Sequence, residues 1–184
     1  MQMYETDQLY VKNEIAEGII LPYEGEEIAF LALMPVGDAD VRELYAQLTW
    51  EDISLLLNQE ETTLCNLRLP KFEVTFEKEL NESVKEMGLV KAYDGSQADL
   101  SGIGTAKTGG NLFISLVKQK AVIILDEEGT EASAATMVEV KEECAIEYET
   151  LPVNVYFDEP FLYMIVDRSN HLPLFVGIMD NPGL

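Results

Sequence analysis

Basic residues are scarce in this chain. Twelve Lys and Arg stand against 34 Asp and Glu in 184 residues, giving a formal charge of -22 and a pI of about 4.1. A field of that sign repels phosphate backbones and anionic headgroups, so a basic nucleic-acid groove is disfavoured and no membrane partner is expected. Long apolar runs are missing as well, since none approaches the roughly 18 residues that a spanning helix needs. The opening Met1-Gln2-Met3-Tyr4-Glu5-Thr6-Asp7 has neither a basic head nor an apolar middle, so no secretory segment is expected in it.

Cysteine and histidine are nearly absent. Cys65 and Cys144 are far apart and neither has a Cys or His neighbour at ligand spacing. Neither a zinc site nor a disulfide framework is therefore encoded, and no metal or cofactor is expected. The single histidine, His171, falls in Asp167-Arg168-Ser169-Asn170-His171, a hairpin-turn composition that makes it a solvated loop residue. No nucleophile has a supporting imidazole, and Asp94, Asp99, Glu127 and Glu128 read as solvated or loop-capping carboxylates rather than an acid–base pair. The chain is not read as an enzyme.

What is present is a globular composition, 47% hydrophobic and 25% charged, with no low-complexity linker and no repeat. We read residues 1–184 as one structural unit. Gly18–Tyr23 and Ile28–Met34 flank the turn signal Glu24-Gly25-Glu26-Glu27 and predict a hairpin. Asp40 with Glu43, and Thr49 with Asp52, predict two capped helices, the second packing Ile53, Leu56 and Leu57 into the core. Leu64–Phe76 predicts a long strand bent at Pro70, and Leu80, Val84 and Met87 a short helix stopped by Gly88. Asn111–Leu125 predicts a second long strand. Phe161–Val166 and Leu172–Met179 predict a hairpin buried on both faces, because both arms are nearly all apolar. The pattern is α+β: strand-rich, with mixed and antiparallel sheets and a few short helices.

One segment stands apart. From Thr130 to Lys141 the even positions read Thr, Ala, Ala, Thr, Val, Val and the odd ones Glu, Ser, Ala, Met, Glu, Lys. That period of two sets a small or β-branched face against a mainly polar one. Such a face fits a tight slot in a sheet, yet its small residues hold an isolated strand only weakly. An exposed loop, an inserted strand, an ordinary edge strand and an alanine-rich helix are all open to it; a helix would scatter Met137, Val138 and Val140 around its surface.

At these residues the chain resembles the serpin family. Glu127-Glu128-Gly129-Thr130-Glu131-Ala132-Ser133-Ala134-Ala135-Thr136 is similar to the hinge of the serpin reactive-centre loop. Leu21-Pro22-Tyr23-Glu24-Gly25, Leu69-Pro70-Lys71-Phe72, Ala98-Asp99-Leu100-Ser101-Gly102-Ile103, Ile114-Ser115, Pro160-Phe161-Leu162 and Leu174-Phe175-Val176-Gly177-Ile178-Met179-Asp180-Asn181-Pro182 stand in family order.

The resemblance implies a serpin-type serine protease inhibitor, a suicide substrate. Its exposed loop, about 127–152, is cut as bait, and the amino-terminal half of the loop then enters the main sheet as a new strand. Loop spacing from Gly129 puts the bait bond at Glu143–Cys144. The stretch around Ala145-Ile146-Glu147-Tyr148-Glu149-Thr150 looks expanded, so a bond further on, near Tyr148, stays open. A larger or charged residue at Thr130 or Ala132 is expected to hinder insertion by about 1–3 kcal/mol or more.

The partner implied is a serine protease, with a cysteine protease as the other option, and the location implied is extracellular. The likeness corresponds to the carboxy-terminal half of a serpin, a partial domain lacking the amino-terminal helical half and the far wall of the slot. A shortened reading of a longer inhibitor, a natural half-serpin and one part of a two-chain assembly all accommodate this. The alternative function is a non-inhibitory interaction or structural module. Uncovered sheet edges are expected to favour homo-oligomers, with Thr130–Val140 folding back on the preceding strand or pairing with another copy.

Overall fold

The computed structural model describes residues 4–107, 109–126 and 151–183. Despite the absence of a linker, these divide into two compact units, one made of residues up to Phe72 and from Leu125 onward, the other of Glu73–Ile124.

The first unit is built on a seven-stranded sheet. Its strands in chain order are β1 (Tyr4–Lys12), β2 (Ala16–Pro22), β3 (Ile28–Pro35), β4 (Glu61–Arg68), β7 (Val153–Tyr156), β8 (Phe161–Asp167) and β9 (Leu172–Met179), and their spatial order is β7-β4-β1-β2-β3-β8-β9. Neighbours run antiparallel except β4 and β7, which are parallel, so the sheet is mixed. The α+β, strand-rich expectation holds, and both expected hairpins form.

The two predicted helices are α1 (Val41–Gln47) and α2 (Trp50–Asn58), each opened by a full capping box. Asp40 accepts from the Arg42 amide at 2.7 Å while Glu43 accepts from the Asp40 amide at 3.2 Å. Thr49 and Asp52 exchange the equivalent bonds. Each box satisfies amides that a first turn leaves without partners. The helices lay Val41, Leu44, Ile53, Leu56 and Leu57 over one face of the sheet, against Ile20, Leu31, Leu33, Leu162, Met164 and Val166.

Aromatic rings close the opposite face. Tyr163 stacks on Phe30 with centroids 6.1 Å apart, Phe72 lies 5.2 Å from Tyr163, and Phe157 meets Phe161 edge-on at 5.0 Å. Two glycines make this packing sterically feasible. A Cβ on Gly18 would sit 1.8 Å from the Ala32 carbonyl oxygen, and one on Gly177 would sit 2.3 Å from the Tyr163 ring, which lies across that position from the paired strand.

Three sequence expectations are corrected. The long strand Leu64–Phe76 is two strands, β4 and β5 (Phe72–Glu79), in different sheets. Pro70 has no amide to give a ladder, and Leu69-Pro70-Lys71 carries the chain out of the first sheet. The hairpin arm Leu172–Met179 is not buried on both faces: among the described residues β9 lies at the sheet edge, with Leu172, Leu174, Phe175 and Val176 each exposed by nearly half.

The third correction lies in the second unit. The strand predicted over Asn111–Leu125 begins only at Lys118, as β6 (Lys118–Leu125) paired with β5. Residues ahead of it bond elsewhere: the Ile114 amide donates to the Ala92 carbonyl at 2.8 Å. Asn81 explains the boundary. The Leu80 amide donates to the Val117 carbonyl at 2.8 Å, whereas the Leu80 carbonyl takes the Val84 amide of helix α3 (Asn81–Glu86) instead of the Val117 amide. The Asn81 side chain substitutes for it, accepting from the Val117 amide at 2.7 Å and donating to the Ser115 carbonyl at 3.3 Å. As predicted, the helix stops before Gly88, whose φ of 100° suits glycine.

Four carboxylates act as caps and turn acceptors. Asp94 takes Ser96 and Gln97, Asp99 takes Ser101, Asp167 takes Ser169 and Asn170, and Asp52 takes Thr49. Hydrogen bonds that favour the charged form hold all four below the ordinary carboxylate pKa.

Three measurements follow from these contacts. Gly177→Ala should lower the urea midpoint by an amount equivalent to about 2 kcal/mol or more, since the ring of Tyr163 must leave its stack. Asn81→Ala should cost about 1–3 kcal/mol and speed hydrogen exchange at the Val117 amide, whereas protection of β2 and β3 stays unchanged. Because the four Asp pKa values are depressed in the folded state, their stabilisation is complete above about pH 4 and drains away as pH falls through the folded values. A urea series from neutral to acidic pH should show a shallower acid loss for Asp94→Asn/Asp99→Asn than for the parent.

Candidate functional site

The hinge Glu127, Glu128, Gly129, Thr130, Glu131, Ala132, Ser133, Ala134, Ala135 and Thr136 lies outside the described residues, as does the bait bond Glu143–Cys144. The same holds for the fold-back expected of Thr130–Val140. What is described is the ground on either side of that segment in the chain.

Ahead of it stands β6. One side of this strand presents Val122 and Ile124, 48% and 62% exposed; on the other, Ala121 and Ile123 are half-buried and Leu125 is buried. At its start the Lys118 ammonium pairs with the Glu77 carboxylate of β5. Among the described residues β6 bonds to β5 and to no second strand. A strand has two ladder edges, so one remains without a described partner.

Behind the segment stands β7, placed by its parallel register with β4, from Cys65 opposite Val153 to Arg68 opposite Tyr156. Asn66 and Asn154 bond side chain to side chain at 2.9 Å, the Arg68 guanidinium lies 4.4 Å from the Tyr156 ring centre, and the Phe157 amide donates to the Arg68 carbonyl at 2.9 Å. This end is a fixed anchor. Cys65 within it is a fully buried free thiol, its pKa pushed up by burial and then by Asp7.

Clefts also occur elsewhere among the described residues. One of about 380 Å³ in the first unit has Glu17, Asp38, Asp158 and Glu159 around Met34, Pro35 and Tyr156. Glu17 is answered by the Tyr10 hydroxyl at 3.0 Å and the Lys12 ammonium at 2.6 Å, and burial with that carboxylate raises the Tyr10 pKa. A smaller one of about 240 Å³ in the second unit is framed by the loop from Ala98 to Leu112. Asp94 and Asp99, read from sequence as loop-capping, do cap turns. No group of three or more His, Cys, Asp or Glu side chains suited to a metal occurs among the described residues.

Sequence reasoning missed one pair. Ser54 Oγ lies 2.7 Å from His171 Nδ1, so a nucleophile does have an imidazole beside it, and His171 is half-buried rather than solvated. No local signal could reveal the pair, because 117 positions separate the two residues. Ser54 sits mid-helix in α2, where backbone amides are spent on the helix and cannot stabilise an oxyanion. The contact instead ties the β8–β9 turn to α2. Arg168 reinforces the tie through Glu60 at 2.6 Å and the Glu26 carbonyl at 3.2 Å.

No helix among the described residues is long and apolar enough to cross a membrane. The family model for serpin (serine protease inhibitor) matches residues 1–182. Serpin B10 of Bos taurus is 31% identical over 185 residues, covering 99% of this chain and 45% of that protein. An uncharacterized serpin-like protein of Methanosarcina acetivorans is 33% identical over 174 residues, covering 94% and 39%. The crystal structure of tengpin, a thermophilic serpin in the native state, superposes with a TM-score of 0.74 at 32% identity, covering 97% of this chain and 45% of its own. The chain thus spans less than half the length of these relatives. With a family match across almost every residue and a shared strand arrangement, the chain belongs to the serpin family.

Proposed function

We propose that this chain carries the bait loop and one wall of the insertion slot of a serpin-type serine protease inhibitor. The observation that carries the reading is the chain order: β6, bonded along one edge, leads into a segment with a small, uncharged face, which is followed by the anchored β7. The face of Thr130, Ala132, Ala134 and Thr136 can enter a sheet without overpacking it or burying a charge.

Within a partial domain spanning 1–184, the proposed loop is about 127–152, its hinge Glu127–Thr136 and its scissile bond Glu143–Cys144. The proposed partner is a serine protease, with a cysteine protease second; a glutamate at the cut suits a basic specificity pocket. Inhibition by trapping requires ladder partners on both edges of the entering strand. The described residues offer one, so the polypeptide as given is proposed to be cut without locking its protease. That one-sided slot also favours the second reading, a non-inhibitory interaction module, and another copy of the chain is the second proposed partner.

Incubation with lysine-, aromatic- and glutamate-cleaving serine proteases separates these outcomes. Cleavage within 139–152, read by sequencing the released peptide, should occur without an adduct that survives SDS. An SDS-stable adduct would overturn the one-wall account, and cleavage confined to other segments would overturn the bait assignment.

A further inference from the structure

Aspartate followed by glycine occurs once in the sequence, at Asp94-Gly95, and asparagine followed by glycine does not occur. We propose that Asp94 is a site of spontaneous isoaspartate formation, held in check by the turn it caps and released when the second unit opens. This is independent of protease trapping.

The chemistry needs only the dipeptide and water. The Gly95 amide nitrogen, giving up its proton, bonds to the carboxyl carbon of Asp94, whose hydroxyl leaves as water, and a five-membered succinimide results. Water then adds back. Opening at the former main-chain carbonyl leaves the chain running through the Asp94 side chain, one methylene longer, with the old carbonyl carbon now a free carboxylate. Glycine selects the site because it places no side chain beside the attacking nitrogen. The other three capping aspartates lack that opening, since Asp52 precedes Ile53, Asp99 precedes Leu100 and Asp167 precedes Arg168.

The folded turn opposes both requirements of the first step, a neutral carboxyl and a side chain free to reach Gly95. Asp94 Oδ1 accepts from the Ser96 amide at 2.8 Å and from the Ser96 hydroxyl at 2.6 Å, and Oδ2 accepts from Gln97 Nε2 at 2.6 Å. These bonds commit both oxygens to residues beyond Gly95 and favour the charged carboxylate, from which no hydroxyl can leave. The main chain is fixed as well: the Asp94 amide donates to the Lys91 carbonyl at 3.1 Å, and the Asp94 carbonyl accepts from the Gln97 and Ala98 amides at 3.0 and 2.7 Å. Ala98 is the single buried residue of this unit among the described residues, so opening the turn uncovers little apolar area and costs little free energy.

The rearrangement has a structural consequence. Gly95 lies against Phe113, where a Cβ would sit 3.2 Å from the ring, and beside Phe113 the Ile114 amide donates to the Ala92 carbonyl at 2.8 Å. An extra methylene at position 94 disturbs both contacts and removes the acceptors of Ser96, Gln97 and Ala98 from their places. The segment leading into β6 is thereby loosened by a covalent change that refolding does not reverse.

Warm incubation of the full chain at neutral pH tests this, with isoaspartate at each position read by peptide mapping and by methyl transfer from a protein isoaspartyl methyltransferase. Asp94 should accumulate isoaspartate ahead of every other aspartate, and about tenfold or more faster in unfolding urea than in buffer. Ser96→Ala combined with Gln97→Ala should speed the reaction in buffer, whereas parent and variant should age alike in urea. Hydrogen exchange at the Ile114 amide before incubation shows whether the variant's turn is still closed, and the aged parent should exchange faster there with β2 and β3 unchanged. Equal rates in buffer and urea would overturn the protection by the fold. A closed variant that ages no faster than the parent would overturn the assignment of that protection to Ser96 and Gln97, and earlier isoaspartate at another aspartate in urea would overturn the choice of Asp94.

Discussion

Burial on both faces of the central strands is the constraint on which the larger unit depends. β2, β3 and β8 are covered by two capped helices on one side and by aromatic rings on the other. A strand in that position cannot slip by one residue without exchanging its two apolar sets, so the register is fixed from both sides. The constraint propagates to single atoms. Gly18 must lack a Cβ because the Ala32 carbonyl fills the space, and Gly177 must lack one because Tyr163 lies there. The β8–β9 turn is held in turn by Ser54, Glu60 and the Glu26 carbonyl.

The smaller unit is held by other means. Between Glu73 and Ile124, Ala98 alone is buried among the described residues, so no hydrophobic core forms there. Its order comes from hydrogen bonds: Asn81 bridging Ser115 and Val117, and Asp94 and Asp99 closing turns. Elements with little buried apolar area open at low free-energy cost. Strand β7, which follows residues 127–150 in the chain, belongs to the larger unit and pairs with β4.

Much of this was legible in the sequence. Helix starts were readable because a capping box is a contact between residues three apart, and the hairpins because their turn residues adjoin their strands. The family resemblance was readable because it rests on ordered motifs spread along the chain. The period of two from Thr130 to Lys141 is a pattern of the sequence, and that segment lies outside the described residues. The errors share one cause. Alternation marked Leu64–Phe76 as a strand and apolar runs marked Asn111–Leu125 as another, but neither showed that the first divides between two sheets or that the second begins only beyond the Asn81 contacts. Apolar residues along β9 signalled burial, whereas among the described residues it pairs with β8 alone.

The sequence by itself determined the local geometry and the charge: caps, turns, strand periodicity, the acid excess and the small-residue face beyond Gly129. These depend on neighbours a few bonds apart or on sums over the chain. Only the tertiary structure decided which strands lie at edges, which glycines face a ring or a carbonyl, and that Ser54 meets His171. Those outcomes depend on which distant segments share space, and the free energy that selects among them comes from burial over the whole fold rather than from any residue's own preference.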